Sequence, residues 1–451
     1  MNILKLILLL SCIIFSFGSP AQQKASTCYE NLGCFTTDYP WTSDARPNPV
    51  LPESPEIVAT KFRLMKLLGD GVTLDYYLLL ADDEFNYGNS GFDPSRKLIV
   101  LVHDWTHNPS ASWIQKASRI LLSNDDKNVI AVDWTNGAGY PYLRAVGNSQ
   151  VVGAELARLV TYLSAKGVMV QDIHIIGHGL GAQVAAYLAT RISGIGRITG
   201  LDPARVYYEG ADPLVRLDES DAGFVDIIHS DKPRTRHVAL GFATNTGSIE
   251  DFACSHLRST EYFVDSMDLS YRCVYQAVPC VSWSAFIAGN CNQGCTSGKC
   301  SNMGYYADLE TGNGTLYLKT FNNAPYCVRT LRLQLDVSLN QEKTEGRVRA
   351  IVVGENGQTP EVEITNSDIL SGFILTSSVE TRGAGPYALG RIIGMQVRYD
   401  EACCLGIGST NTLDVSRGFV QATELSAVAQ STNFIGTTLK DGSWTFLTPE
   451  V

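Results

Sequence analysis

The sequence predicts an α/β domain followed by an all-β sandwich, and three observations carry that expectation. Continuous apolar runs at Leu98 to Val102 and Val129 to Val132 alternate with helical stretches, the pattern of buried parallel strands joined by helices. A strand signal, Ile173 to Ile176, runs through a glycine-rich turn into a helical stretch from Leu180 to Thr190. From Leu316 onward apolar and polar residues alternate, as in Leu331-Arg332-Leu333-Gln334-Leu335-Asp336-Val337, Val362-Glu363-Ile364 and Met395-Gln396-Val397-Arg398-Tyr399. Short alternating strands of this kind build sandwiches. A length of 451 residues suits two domains, and the change of character falls near residues 309–323. The expected division is a leader over 1–18, an α/β domain over 19–315 and a β-sandwich over 316–451.

Taken in order, residues 1–18 have the form of a secretory signal peptide. Lys5 supplies the positive end, Leu6 to Phe17 the apolar core, and Ser16 and Gly18 are small enough for cleavage after Gly18. The apolar run is too short to span a bilayer and no other segment is long enough, so the expectation is a secreted, extracellular protein without a transmembrane anchor. Twelve cysteines, one of them Cys12 in the leader, leave an odd number in the mature chain. In a secreted protein most should pair, with one left over. Asn313-Gly314-Thr315 is an acceptor for N-glycosylation, whereas Asn108-Pro109-Ser110 is excluded by its proline. The net charge of -11 argues against nucleic acid as a partner and against electrostatic attraction to anionic membranes, but not against neutral lipid.

Cys28 to about Thr60 is loop-rich, with prolines at 40, 47, 49, 52 and 55, and reads as an arm laid over a domain. The spacing of Val151, Val152, Leu156, Leu159, Val160 and Leu163 predicts a helix over 150–166. After the glycine-rich turn, a further strand ends at Leu201.

Residues 177–181 read Gly-His-Gly-Leu-Gly. Strand, sharp turn and helix with this glycine pattern form a nucleophile elbow, in which a serine stands at the centre of Gly-x-Ser-x-Gly. The central residue here is Gly179. Glycine-rich strand-to-helix turns also cradle phosphates, so the pentapeptide alone leaves both readings open. Two later residues narrow them. Asp202 follows a strand in Gly200-Leu201-Asp202-Pro203-Ala204, and His256 lies on what the sequence suggests is a loop, in Ala253-Cys254-Ser255-His256-Leu257-Arg258-Ser259. Nucleophile, acid and histidine come in this chain order in the fold with such an elbow; the acid fixes the histidine's tautomer and the histidine takes the nucleophile's proton.

Together with Cys28-Tyr29-Glu30-Asn31-Leu32-Gly33-Cys34-Phe35, Leu214-Val215-Arg216-Leu217-Asp218 with Ser220-Asp221-Ala222, and Cys280, Cys291, Cys295 and Cys300 leading into Met303-Gly304-Tyr305-Tyr306-Ala307-Asp308, these stretches resemble the pancreatic lipase family. The resemblance covers essentially the whole mature chain, though the sandwich matches in pattern more than in words. It implies an α/β-hydrolase domain followed by a PLAT-like sandwich that contacts lipid surfaces or protein partners. It implies Asp202 and His256 as acid and base, and the backbone N–H groups of Leu180 and Trp105 as the oxyanion hole. In the family a glycine precedes that aromatic; here it is Asp104, whose carboxylate either opposes the charge the hole stabilises or points to solvent. A structural Ca²⁺ is implied, held by the carbonyls of Pro213 and Arg216 and the carboxylates of Asp218 and Asp221, hard oxygen donors on one short loop. The implied disulfides are Cys28–Cys34, Cys280–Cys291 and Cys295–Cys300. The family's lid between Asp231 and Cys254 is short here and lacks one of its cysteines. Cys254 is then expected to turn to Cys273, and Cys327 to Cys403 or Cys404.

Without the serine the acyl-enzyme route is closed. Three functions follow as expectations. The first is a secreted pseudo-lipase that binds lipid, an ester-like ligand or a protein; insect yolk proteins, which resemble lipases and also lack the serine, are a precedent. The alternative is an active carboxylic ester hydrolase, of triacylglycerol lipase or phospholipase A1 type, using water or a displaced nucleophile such as Ser255. The third is a structural protein in which the cleft is a relic.

Overall fold

The computed structural model describes the chain apart from residues 1–24, 49, 124–126, 231–248, 268–274, 288–290, 292–299, 310–311, 339–342, 371–373, 383–388, 402–411, 423–430 and 451. The leader, the lid segment, Cys273, Cys295, Cys403 and Cys404 therefore lie outside the described residues.

Seven strands form the sheet of the first unit: β1 (Lys61–Leu67), β2 (Leu74–Leu79), β3 (Lys97–Val102), β4 (Lys127–Asp133), β5 (Ile173–His178), β6 (Arg197–Leu201) and β7 (Phe224–Ile228). Their spatial order is β2-β1-β4-β3-β5-β6-β7. From β4 to β7 all neighbours are parallel, and β1 and β2 join antiparallel at one edge. Among the described residues, Glu84–Ser90 is a short helix between β2 and β3, and three longer helices make further connections: α1 (Ser112–Leu122) between β3 and β4, α2 (Tyr142–Ala165) between β4 and β5, and α3 (Leu180–Ala189) between β5 and β6. The central strands are buried on both faces, so Leu98 to Val102 and Val129 to Val132 are apolar at every position rather than at alternate ones. The helix expected over 150–166 begins earlier, at Tyr142. Gly147, Asn148 and Ser149 interrupt the apolar spacing of its first turns, and Pro141 immediately precedes its start. At the N-terminus, Ser26–Tyr29 and Gly33–Thr36 form a hairpin in which Cys28 stands opposite Cys34, and the two are disulfide-bonded.

The chain divides into two compact units at Ser259/Thr260. This departs from the boundary expected at 315/316. Leu316–Tyr317, the first alternating pair, does not open the sandwich but pairs with Gln276–Pro279, which also pairs with Ser301–Asn302. Beside this small sheet, Tyr275, Tyr326 and Cys327 form a buried cluster of their own.

The sandwich proper starts at β8 (Val328–Ser338) and continues through β9 (Lys343–Gly354), β10 (Val362–Leu370), β11 (Ile374–Arg382), β12 (Ile392–Glu401), β13 (Thr412–Ala422), β14 (Ser431–Lys440) and β15 (Trp444–Leu447). One sheet runs β11-β8-β13-β14. The other places β9 between β10 and β12, with β15 beyond β12. Leu331, Leu333, Leu335 and Val337 from one sheet meet Val348, Ala350, Val352, Met395, Val397 and Tyr399 from the other in one core. The period of two in the sequence is the period of this inward face.

Candidate active site

The parallel strands end on one side of the sheet and deliver the site residues there. β5 leads through His178 into Gly179 and α3. Gly179 sits at φ 54, ψ -115, the strained backbone an elbow requires. Gly181 is needed because a β-carbon there would strike the carbonyls of Val102 and His103, so α3 can lie directly against the end of β3. Asp202 follows β6 at φ 42 and is fully buried. His256 lies on helix α4 (Ile249–Ser266), not on the loop the sequence suggested.

These residues converge. His256 Nδ1 is 2.6 Å from Asp202 Oδ2, the geometry of an acid–histidine pair. The other Asp202 oxygen accepts the Ser230 N–H at 3.2 Å, and His229 Nδ1 approaches it at 3.8 Å. The opposite nitrogen, His256 Nε2, faces a carboxylate: Asp104 Oδ2 at 2.9 Å. Asp104 Oδ1 accepts the Leu180 N–H at 2.6 Å. A β-carbon built on Gly179 would overlap the Asp104 carboxyl group. One carboxylate therefore fills the space a side chain at 179 would take, bonds the His256 nitrogen that faces that space, and accepts the Leu180 N–H. Of the two orientations left open for Asp104, the structure shows the inward one; the residue is only 7% exposed.

The turn that aims Asp104 is held from behind. His103 Nδ1 donates to the Asp104 carbonyl at 2.8 Å, and His103 Nε2 accepts the Trp134 N–H at 3.2 Å. The indole of Trp134 donates to the His103 carbonyl and stacks on the His103 ring. Burial lowers the His103 pKa to about 4, so it stays neutral in the tautomer these bonds need. Trp105, the second expected oxyanion residue, turns its ring edge-on to Tyr140 and Tyr142.

The electrostatics follow from two carboxylates around one imidazole. Burial alone would lower the His256 pKa, but the hydrogen bonds to Asp104 and Asp202 and their charges outweigh it and push it up to about 10. Burial would raise Asp104 and Asp202. For Asp104 the hydrogen bond and charge of His256 hold the carboxyl well below the usual range, and for Asp202 the bonds of His229 and His256 do so. These directions favour an ionised Asp–His–Asp bridge. His178 stacks on His256 with ring centroids 4.3 Å apart, and burial, aided by the neighbouring His256 charge, brings its pKa down to about 3. Sequence reasoning did not assign His178 or the inward role of Asp104. The signal was there, since glycine at 179 and a carboxylate at 104 are complementary departures.

Elsewhere, Cys280–Cys291 is a disulfide and Cys300 and Cys327 are disulfide-bonded. Cys254 is an exposed free thiol on α4, which corrects its expected pairing with Cys273. Cys254 and Ser255 are consecutive on a helix with His256, where neighbours project about 100° apart, so Ser255 is not placed as a nucleophile for His256. On the acidic loop, the Asp218 N–H donates to Asp221 Oδ2 at 2.8 Å, and Asp218 Oδ2 pairs with Arg216 at 3.0 Å. Burial and the charge of Asp218 push the Asp221 carboxyl up to about 6, against the Asp218 backbone hydrogen bond. The Pro213 carbonyl accepts only a long 3.3 Å bond from the Arg216 N–H. Asn313 is among the described residues; no helix among them is long and apolar enough to cross a membrane.

Comparison with known proteins agrees with this fold. The family described as Lipase matches residues 25–252 and 243–326. Pancreatic triacylglycerol lipase of Myocastor coypus is 32% identical over 398 residues, covering 79% of this chain and 85% of that protein. The Homo sapiens pancreatic triacylglycerol lipase is 33% identical, covering 75% and 79%. Pancreatic lipase-related protein 2 of Cavia porcellus is 32% identical, covering 79% and 86%.

Proposed function

The chain belongs to the pancreatic lipase family, and on that premise we propose that it is a secreted pseudo-lipase, one that binds a lipid or ester-like ligand, or a protein partner, without hydrolysing it. The observation that carries this reading is the Asp104 carboxylate, hydrogen-bonded to both Leu180 N–H and His256 Nε2 above Gly179. A hydrolase needs three things at this spot: a nucleophile, a basic nitrogen facing it and an empty oxyanion donor. Asp104 engages the second and third, and Gly179 cannot supply the first. A water-based route would need the His256 Nε2 lone pair to face water, and that nitrogen faces a carboxylate. The apolar leader sequence and the disulfides Cys28–Cys34 and Cys280–Cys291 support secretion.

The experiment pairs turnover with binding. Purified mature protein and its His256→Ala variant are assayed on short- and long-chain p-nitrophenyl esters and on a phospholipid, then mixed with neutral lipid vesicles and with a non-hydrolysable ester analogue. Silence of both proteins together with saturable binding is the expected result. Wild-type turnover abolished by His256→Ala would replace this reading with a working hydrolase.

The acidic loop suits a Ca²⁺ ion in the chemistry of its donors. Asp221 is a desolvated carboxyl beside a second carboxylate, and a cation between them relieves both the burial and the repulsion. Pro213 and Arg216 would add carbonyls to the carboxylates of Asp218 and Asp221. The ion would brace the loop before β7 and take no part at the elbow. Ca²⁺ at about a hundred times its dissociation constant is expected to raise the thermal midpoint by roughly 5–10 °C, read by calorimetry, and Asp221→Asn is expected to abolish the gain.

A further inference from the structure

We propose that Asp104, His178 and His256 form a binding site for one divalent transition-metal ion of the zinc class. One donor atom from each of the three lies within 4.8 Å of the others, and all three residues are buried. A second observation points the same way. His178 is fully buried, and its Nδ1 has no hydrogen-bond partner. Its Nε2 makes only a long 3.3 Å contact with the His256 carbonyl. A buried, unpartnered ring nitrogen is costly in a native structure, and an ion is one of the few things that removes the cost.

The donor set selects the metal. Two imidazoles and one carboxylate suit Zn²⁺ and its neighbours, whereas Ca²⁺ and Mg²⁺ prefer oxygen alone. The outer partners are also in place. His256 gives its Nδ1 side to Asp202 at 2.6 Å, so Nε2 is the nitrogen presented inward. Asp104 is held by the Leu180 N–H through its other oxygen. A carboxylate behind a ligating histidine and a hydrogen bond behind a ligating carboxylate are the usual supports of such sites. Metal–ligand bonds of about 2.0–2.2 Å place donors roughly 3.3 Å apart. The Asp104–His256 pair, now 2.9 Å apart, opens slightly, His178 moves in, and the ion replaces the shared proton. A fourth position stays open. His107 lies near His178, its ring 6.0 Å from that of His178 and its Nδ1 also buried without a partner.

The test uses full-length mature protein stripped with a chelator. Zn²⁺ is titrated calorimetrically, and Co²⁺ is added as a visible-absorption probe. One equivalent should bind, with the intense Co²⁺ bands of a four-coordinate nitrogen–oxygen site. His178→Ala and Asp104→Ala should each weaken binding at least about 100-fold. Asp202→Asn should weaken it about 10–100-fold, and Asp221→Asn should leave it unchanged. Equal affinity in wild type, His178→Ala and Asp104→Ala overturns the proposal. Should either variant fail to fold, the wild-type Co²⁺ spectrum decides: the weak bands of a six-coordinate oxygen site, or no bands, overturn it. The readout is metal binding, so it stands apart from the vesicle and ester assays.

Discussion

The double variant Asp104→Gly/Gly179→Ser is expected to hydrolyse a p-nitrophenyl ester, while neither single variant does. Gly179→Ser alone forces a β-carbon into the Asp104 carboxyl group at a backbone conformation that L residues resist. Overpacking and strain together are expected to lower stability by roughly 2–4 kcal/mol, and the oxyanion donor of Leu180 stays occupied. Asp104→Gly alone frees the donor and the His256 Nε2 but supplies no nucleophile. Only together do they leave a serine facing a histidine that Asp202 already orients at 2.6 Å. Because a triad acts as a unit, the gain is grossly non-additive, at least about 10³-fold in kcat/KM over either single change. A Gly179→Ser protein as active as the double variant would show that Asp104 does not block the elbow.

His256 in metal-free protein is expected to remain an imidazolium through pH 8, and Asp104→Asn to lower its pKa by at least about 2 units. Ring-nitrogen NMR across pH 5–10 reads this directly. The groups facing the ring are Asp104 and Asp202 on its two nitrogens and His178 on its face, with His229 behind Asp202. The sign of the stability effect follows from linkage. His256 is raised from an ordinary value of 6.5 to about 10, so its contribution is full below pH 6.5 and is lost as pH rises towards 10. Asp104 and Asp202 are depressed, so theirs is present above the usual carboxylate range and is lost on acidification. Denaturation midpoints should therefore fall on both sides of a maximum between about pH 4 and 6.5. In Asp104→Asn the alkaline fall should shrink. An alkaline limb identical in both proteins would mean that Asp104 does not hold the proton on His256.

Much of this was legible in the sequence, because period and spacing are local properties. The apolar runs at Leu98 and Val129 announced buried parallel strands, and the alternation at Leu331 announced an inward sandwich face. The order Gly179, Asp202, His256 picked out residues that the fold brings to one place. What the sequence did not show depends on contacts between distant segments. Leu316–Tyr317 alternates like a sandwich strand but pairs upstream with Gln276–Pro279, a choice that only tertiary partners make. His256 stands on α4, whose first turn carries Glu250 and Asp251 after Ser248 in the sequence, a helix-start pattern that places it inside a helix. The joint meaning of Asp104 and Gly179 was split across 75 positions of chain. Each looked like an isolated feature, and only the fold shows that the side chain at one fills the space beside the other.

The interlocked elbow also acts as a ratchet in sequence space. On the proposed reading, single substitutions do not lead to a working elbow: a hydroxyl introduced first meets a filled site, and removing the acid first leaves a cavity with no catalytic reward. Return requires two coordinated changes, so drift at either position alone is held in place by the other. On the proposed reading, an elbow without ester chemistry is thereby protected from casual reversal.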